Sequence, residues 1–257
     1  MKKRLLFLVV FSILAGALVW KFARHAAAPT VPKHVTAITG AQKVSGGYRY
    51  VKDSDFYTIE VEYPASTKLS GDGENRALTV MEDWVIERMR QFESNAGEML
   101  DAQEKARLTE QGRKYALGIS YKRYDSDGRI SYVYQIYEDT GGAHPNTYYM
   151  TFAFDHAGIK LGLGDLFKPD SRYLDRLSKI SYDYLVVDLA KRFESELDEG
   201  QLDWIRMGTA PSPETLQFFY LDGDALVLMF PPYQVAAYVA GKSEVRIPLE
   251  TIADILK

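Results

Sequence analysis

The chain has 257 residues, 46% hydrophobic and 26% charged, which suits a folded protein with a substantial core in one domain or two small ones. It contains no cysteine, which excludes disulfides, thiolate catalysis and cysteine metal sites. The formal net charge is −4. Because Lys2, Lys3, Arg4, Lys21 and Arg24 account for five of the 31 basic residues against 35 acidic ones, residues 26–257 carry −9, which argues against nucleic acid as a partner.

Those five basic residues flank an apolar run from Leu5 to Trp20, and the pattern predicts export. Residues 1–25 read either as a cleaved signal peptide or as a membrane anchor. Ala26-Ala27-Ala28 resembles a cleavage site, whereas Pro29 and the basic residues Lys21 and Arg24 fit retention. A membrane is therefore one expected partner, through this segment. Residues 26–47 read as a linker with Pro29 and Pro32.

The folded part is predicted to divide into an N-terminal α+β subdomain over 48–114 and a C-terminal one over 115–257. Tyr48–Lys52 and Asp55–Tyr63 read as a hairpin, with Tyr57, Ile59, Val61 and Tyr63 on one face and Thr58, Glu60 and Glu62 on the solvated one. Leu78, Met81, Val85, Met89 and Phe92 recur at helical spacing and predict a helix near 75–94. Residues 95–114 read as a polar connection with a broken helix. Tyr115–Tyr124 and Arg129–Tyr137 form a second predicted hairpin across Asp125-Ser-Asp-Gly128.

Ile130, Tyr132, Tyr134 and Ile136 then alternate with more polar neighbours up to a bend containing Gly141, Gly142, His144 and Pro145, and Tyr148 to Phe154 leads away from it. The two glycines allow positive φ or close backbone approach, and Pro145 biases His144 toward an extended conformation. A second long helix is predicted over about 171–196, with Ser171 as N-cap and a stripe of Leu174, Leu177, Ile180, Tyr184, Val187 and Leu189 to Phe193; Gly200 is its predicted stop. Asp203–Pro213 reads as irregular. A hairpin about Asp222-Gly-Asp224, a loop from Pro231 to Gly241, a strand over Glu244–Pro248 and a short C-terminal helix complete the chain.

The residues with the strongest claim to chemistry are Glu138, Asp139, Gly141, Gly142 and His144 at the bend, with Tyr233 in the later loop; all six are expected binding residues. A histidine near two carboxylates can serve as a general base. No HExxH or Gly-x-Ser-x-Gly is present, and Asp125-Ser-Asp-Gly128 lacks the downstream glutamate of a calcium loop, since position 136 is Ile136. No catalytic residue, metal site or cofactor is expected by spacing.

Tyr137 to Asp155, with Gly-Gly-Ala-His and Asn146-Thr-Tyr148, then Gly158-x-Lys160-Leu161 and Asp165-Leu-Phe167, resembles the exported domain of the RsiV-like family. So does the ending, with Tyr233-Gln-Val-Ala-Ala-Tyr-Val-Ala-Gly241 and Val245-Arg-Ile-Pro-Leu249. That domain occurs in a lysozyme-sensing anti-sigma factor and as an accessory domain of a peptidoglycan deacetylase. Only Met1 to Arg4 precede the apolar run, and no deacetylase domain follows Lys257, so neither sigma-factor sequestration nor the deacetylase's catalytic domain is expected here.

The resemblance implies an α+β fold of two intertwined subdomains: a mainly antiparallel sheet with two longer helices packed on it. It further implies an exported, periplasmic or extracytoplasmic binding or sensor module without catalysis, whose partner is a lysozyme-like protein or the cell-wall polymer. The alternative is a small envelope hydrolase acting on peptidoglycan through His144 and a nearby carboxylate.

Overall fold

Alternating side chains build one seven-stranded sheet whose strands lie in sequence order. They are β1 (Gln42–Val44), β2 (Gly47–Asp53), β3 (Tyr57–Pro64), β4 (Tyr115–Ser126), β5 (Arg129–Asp139), β6 (Asn146–Phe154) and β7 (Lys160–Leu161). The computed structural model describes Ile38 to Lys257 apart from Ala143; the predicted signal or anchor and the linker up to Ala37 lie outside the described residues. All neighbouring strands are antiparallel except β3 and β4, which run parallel because the chain leaves the sheet after Pro64 and re-enters at Tyr115. These two strands lie on either side of residue 114 and are hydrogen-bonded neighbours.

The crossover holds α1 (Asp72–Glu93) and α2 (Ala102–Gln111). The predicted stripe of α1 is buried in full: Leu78, Met81, Val85, Met89 and Phe92 pack against Ile59, Val61, Leu117, Ile119, Tyr132, Tyr134 and Ile136. At about 2 kcal/mol for each large side chain, this stripe contributes on the order of 10 kcal/mol of gross burial. Asp101 caps α2 by accepting from the Glu104 N–H at 2.7 Å, and Gly112 closes it at φ 59°. Arg107 of α2 donates to Glu104, 2.8 Å from Nε, and the Tyr115 hydroxyl donates to Glu104 at 2.5 Å, which ties α2 to the start of β4.

The second half contains α3 (Tyr173–Phe193), α4 (Glu199–Gly208) and a three-stranded antiparallel sheet of β8 (Phe219–Asp222), β9 (Ala225–Phe230) and β10 (Ser243–Pro248). The molecule is thus α+β, with a mainly antiparallel sheet and two longer helices of 22 and 21 residues. Several local expectations are corrected. Ser171 does not cap α3; its hydroxyl donates to the Lys168 carbonyl, and Arg172 stands at the cap without a side-chain capping bond. The buried line of α3 is Leu177, Ser181, Leu185 and Leu189, spaced by four, which leaves Tyr184 46% and Val187 69% exposed.

Glu194, at φ 51°, ends α3, so Gly200 is not its stop. Asp198 instead opens α4 with a capping box, its carboxylate accepting from Gln201 N–H while the Gln201 side chain accepts from Asp198 N–H. Most of Asp203–Pro213 is therefore helix rather than irregular chain. The C-terminal helix is a 3-10 turn over Leu249–Ile252.

One face of the large sheet carries α1. On the other, β8 lies across the lower part, where Tyr220, Val227 and Met229 pack on Val133, and Tyr124 lies 4.4 Å from Tyr220 between ring centres. Ser131 and Thr151 hydroxyls accept the N–H groups of Leu221 and Phe219 at 3.0 and 3.2 Å. The upper part of the same face stays open.

Candidate functional site

The open part of that face is floored by the outward residues of three strands: Thr58, Glu60 and Glu62 from β3, Ala116, Gly118 and Ser120 from β4, and Gln135 and Tyr137 from β5. They enclose a groove of about 390 Å³. Gly118 keeps its centre low, since a Cβ there would lie 3.6 Å from that of Tyr137. Glu60 is paired with Arg49 of β2 at 2.6 Å. Beyond Gln135 and Tyr137, the next strand places Tyr149 and Thr147 opposite them, so the face continues across β6 toward the bend.

At the bend, the expected site residues separate into two groups. Glu138 accepts from Tyr148 at 2.7 Å and pairs with Arg88 of α1 at 3.0 Å. Burial first, and then the Glu138 carboxylate, push the Tyr148 hydroxyl up from its ordinary value, so it remains a donor. Asp139 accepts from the Gly141 N–H at 2.9 Å and faces Arg113 at 3.4 Å. Both carboxylates are thus committed to holding the ends of β5 and the bend, and neither serves His144.

Gly141 adopts φ 80°, and a Cβ on it would stand 2.9 Å from the Arg107 guanidinium and 3.0 Å from the Tyr115 ring. The bend requires a glycine at this position. Gly142 meets no such restriction, its nearest neighbour being the His144 carbonyl at 3.8 Å.

His144 and Tyr233 belong to the second group, and a residue not singled out from the sequence joins them. The exposed His144 ring stacks on Tyr238 at 4.5 Å and 22°, and Tyr238 in turn lies 5.3 Å from Tyr233. His144 Nδ1 is 2.9 Å from the Pro145 carbonyl. A carbonyl can only accept, so the proton sits on Nδ1 and the neutral ring presents Nε2 as an acceptor. Tyr233, 53% exposed, sits at φ 71° and its carbonyl accepts from the Trp204 indole at 2.9 Å. Tyr238 could have been suspected from its place in the same Tyr-rich loop. His156 lies at the opposite end of β6, in the turn against the start of α1.

Among the described residues no group of three or more His, Asp or Glu side chains is placed to hold a metal ion. Among them, too, no helix is long and apolar enough to cross a membrane. The expected membrane partner therefore has no counterpart there, and the Leu5–Trp20 run lies outside them.

Two family models match the chain. Residues 50–147 match the family described as Deacetylase PdaC, and residues 164–250 match a protein family of unknown function, DUF3298. The chain is 28% identical over 209 residues to the peptidoglycan-N-acetylmuramic acid deacetylase PdaC of Bacillus subtilis, covering 80% of this chain and 40% of that relative. It therefore spans about two fifths of the relative's length.

Two solved structures share the fold. A DUF3298 family member from Bacteroides fragilis has a TM-score of 0.55 at 19% identity, covering 82% of this chain and 92% of that one. A DUF3298 family protein from Pseudomonas aeruginosa has a TM-score of 0.51 at 16% identity, covering 86% and 96%.

The resemblance accordingly stands at a coarser level than the sequence suggested: an exported accessory domain of the kind linked to a peptidoglycan deacetylase, and not specifically an RsiV-like domain. An exported, envelope-associated chain is consistent with both matches. The expectation of a non-catalytic sensor for a lysozyme-like protein does not survive them, because the model matched over residues 50–147 and the matched relative are both described as deacetylases.

Proposed function

We propose that this chain acts hydrolytically on peptidoglycan in the cell envelope, with the glycan lying in the open groove and His144 serving as the proton acceptor. The observation that carries the reading is the span of the deacetylase match. Residues 50–147 include every residue of the groove, the bend and His144 itself.

The chemistry available at His144 is general acid–base work on an N-acetyl group. Nε2 takes a proton from water as the water oxygen bonds to the acetyl carbonyl carbon. The resulting imidazolium returns that proton to the nitrogen as the C–N bond breaks, releasing acetate and leaving an amine. Pro145 fixes the tautomer this requires. Glu138, engaged with Arg88 and Tyr148, is a positioning residue that holds β5 and β6 beside the bend. The carboxylate expected to assist His144 directly is thus assigned to the scaffold.

The test is incubation of the full chain with purified sacculi, with acetate and soluble fragments measured for wild type and His144→Ala. Loss of a positioned general base lowers turnover by about a hundredfold or more. A wild type that releases neither product, or an Ala variant that releases as much, overturns the reading.

A further inference from the structure

We propose that Tyr233, backed by Tyr238, forms a stacking platform for a sugar ring at the end of the ring stack that His144 begins. The proposal deepens the hydrolytic reading and rests on it for the identity of the ligand as a glycan. Its warrant is geometric.

Three rings are stacked in succession: His144 on Tyr238 at 4.5 Å, and Tyr238 by Tyr233 at 5.3 Å, tilted by 22° and 33°. At these separations the rings lie face against face, so Tyr238 is taken up inside the stack and the 53%-exposed Tyr233 ring supplies the apolar face, edged by its own hydroxyl. A pyranose has the complementary surface, with C–H bonds on its face and hydroxyls around its rim.

Strain at Tyr233 is the independent observation. A bulky side chain at φ 71° is a conformation that L residues seldom adopt, and glycine would take it freely. Burial does not compensate, because Tyr233 is 53% exposed. The surrounding loop enforces the geometry instead. Trp204 donates to the Tyr233 carbonyl at 2.9 Å, and the Gln234 amide donates to the carbonyls of Gly208 and Thr215 at 2.8 and 2.7 Å. An exposed aromatic held in a strained conformation by a fastened loop is preorganised for contact from outside.

The continuity of the face supports a polymer as occupant. The sheet face that floors the groove runs on from Gln135 and Tyr137 to Tyr149 and Thr147 of β6, the strand that leaves the bend carrying His144.

The experiment titrates the full chain with the N-acetylglucosamine tetramer by calorimetry, comparing wild type, Tyr233→Gly and Tyr233→Phe. Acetate release from sacculi and the melting temperature are followed in parallel. Wild type binds; the Gly variant keeps or raises its melting temperature but binds about tenfold more weakly, as loss of one stacking ring predicts; and the Phe variant binds within about threefold of wild type, since it keeps the ring. Unchanged binding by the Gly variant overturns the platform, and so does loss of its folding stability together with binding, which would make Tyr233 structural. A wild type that fails to bind the tetramer also overturns it. Binding that follows the ring while sacculi yield no product sinks the hydrolytic reading alone and leaves the platform standing.

Discussion

The Tyr238 hydroxyl donates to the Pro145 carbonyl at 3.1 Å, joining two residues 93 positions apart, and His144 Nδ1 donates to the same oxygen at 2.9 Å. One carbonyl thereby fixes both the bend and the ring that stacks on it. Tyr238→Phe removes one of these bonds and keeps the stack. It is expected to cost about 1 kcal/mol, a typical net value for one hydrogen bond. Urea unfolding checks this, with a lower midpoint at unchanged slope. Sacculus turnover should fall as well, because His144 loses part of its support.

Acid sensitivity should trace in part to Glu104. The hydrogen bond from Arg107, and then that from Tyr115, hold its carboxyl at about 2, below the ordinary 4.5. A depressed folded-state value means that the stabilisation is complete above the unfolded value and is lost as pH falls through the folded one. The loss therefore falls between about pH 4.5 and pH 2. Glu104→Gln should melt lower than wild type at neutral pH and show a shallower decline in that window. Parallel slopes for the two proteins would remove Glu104 as a source of the acid response.

Two glycines with similar backbone angles should respond very differently to alanine. Gly223 at φ 58° turns the β8–β9 hairpin into open space, whereas Gly158 at φ 72° would place a Cβ 2.0 Å from the Gly73 carbonyl oxygen at the start of α1. Gly223→Ala meets only backbone strain, about 1–2 kcal/mol. Gly158→Ala must also push the β6–β7 turn off α1, where the Arg76 guanidinium donates to Ala157 O at 3.0 Å from Nε, and should exceed about 3 kcal/mol. Comparable melting temperatures for the two variants would contradict this account.

The sheet was legible because burial has a period. Ile130, Tyr132, Tyr134 and Ile136 alternate in the sequence and are all buried, and the stripe of α1 is buried without exception. What escaped depends on choices between local signals or on distant partners. Asp198-Glu-Gly200 satisfies both a helix stop and a helix start, and only the bonds to Gln201 decide for the start. Tyr184 and Val187 are apolar and correctly spaced, yet α3 turns the line through Ser181 inward instead. Nothing within β3 or β4 specifies that they pair in parallel.

The candidate site was half legible for the same reason. Gly141 shows itself by residue type, and the ring of His144 by its place at a bend. Its partner Tyr238 comes from a segment far along the chain, and local patterning does not encode such a contact. The carboxylates beside the bend were expected as binding residues, and in the alternative reading as partners of His144, because their own partners, Arg88 of α1 and Arg113 just before β4, are brought in only by the fold.

The groove itself can be tested at Gly118, which forms its low point between Glu60 or Glu62 on one side and Gln135 or Tyr137 on the other. A Cβ at this position meets only the Tyr137 side chain, at 3.6 Å, which is ordinary contact. Tyr137 is 40% exposed and can shift outward to admit a larger group. Glycine inside a strand also costs backbone entropy that a β-branched residue avoids, so Gly118→Val should leave stability unchanged or raise it by about 0.5–1 kcal/mol. The two added methyls would stand in the floor where a glycan must lie. Retention of the full chain on sacculi and release of product should therefore both fall several-fold, with His144 and the platform untouched. A valine variant that is stable and equally active would show that the polymer does not use this face.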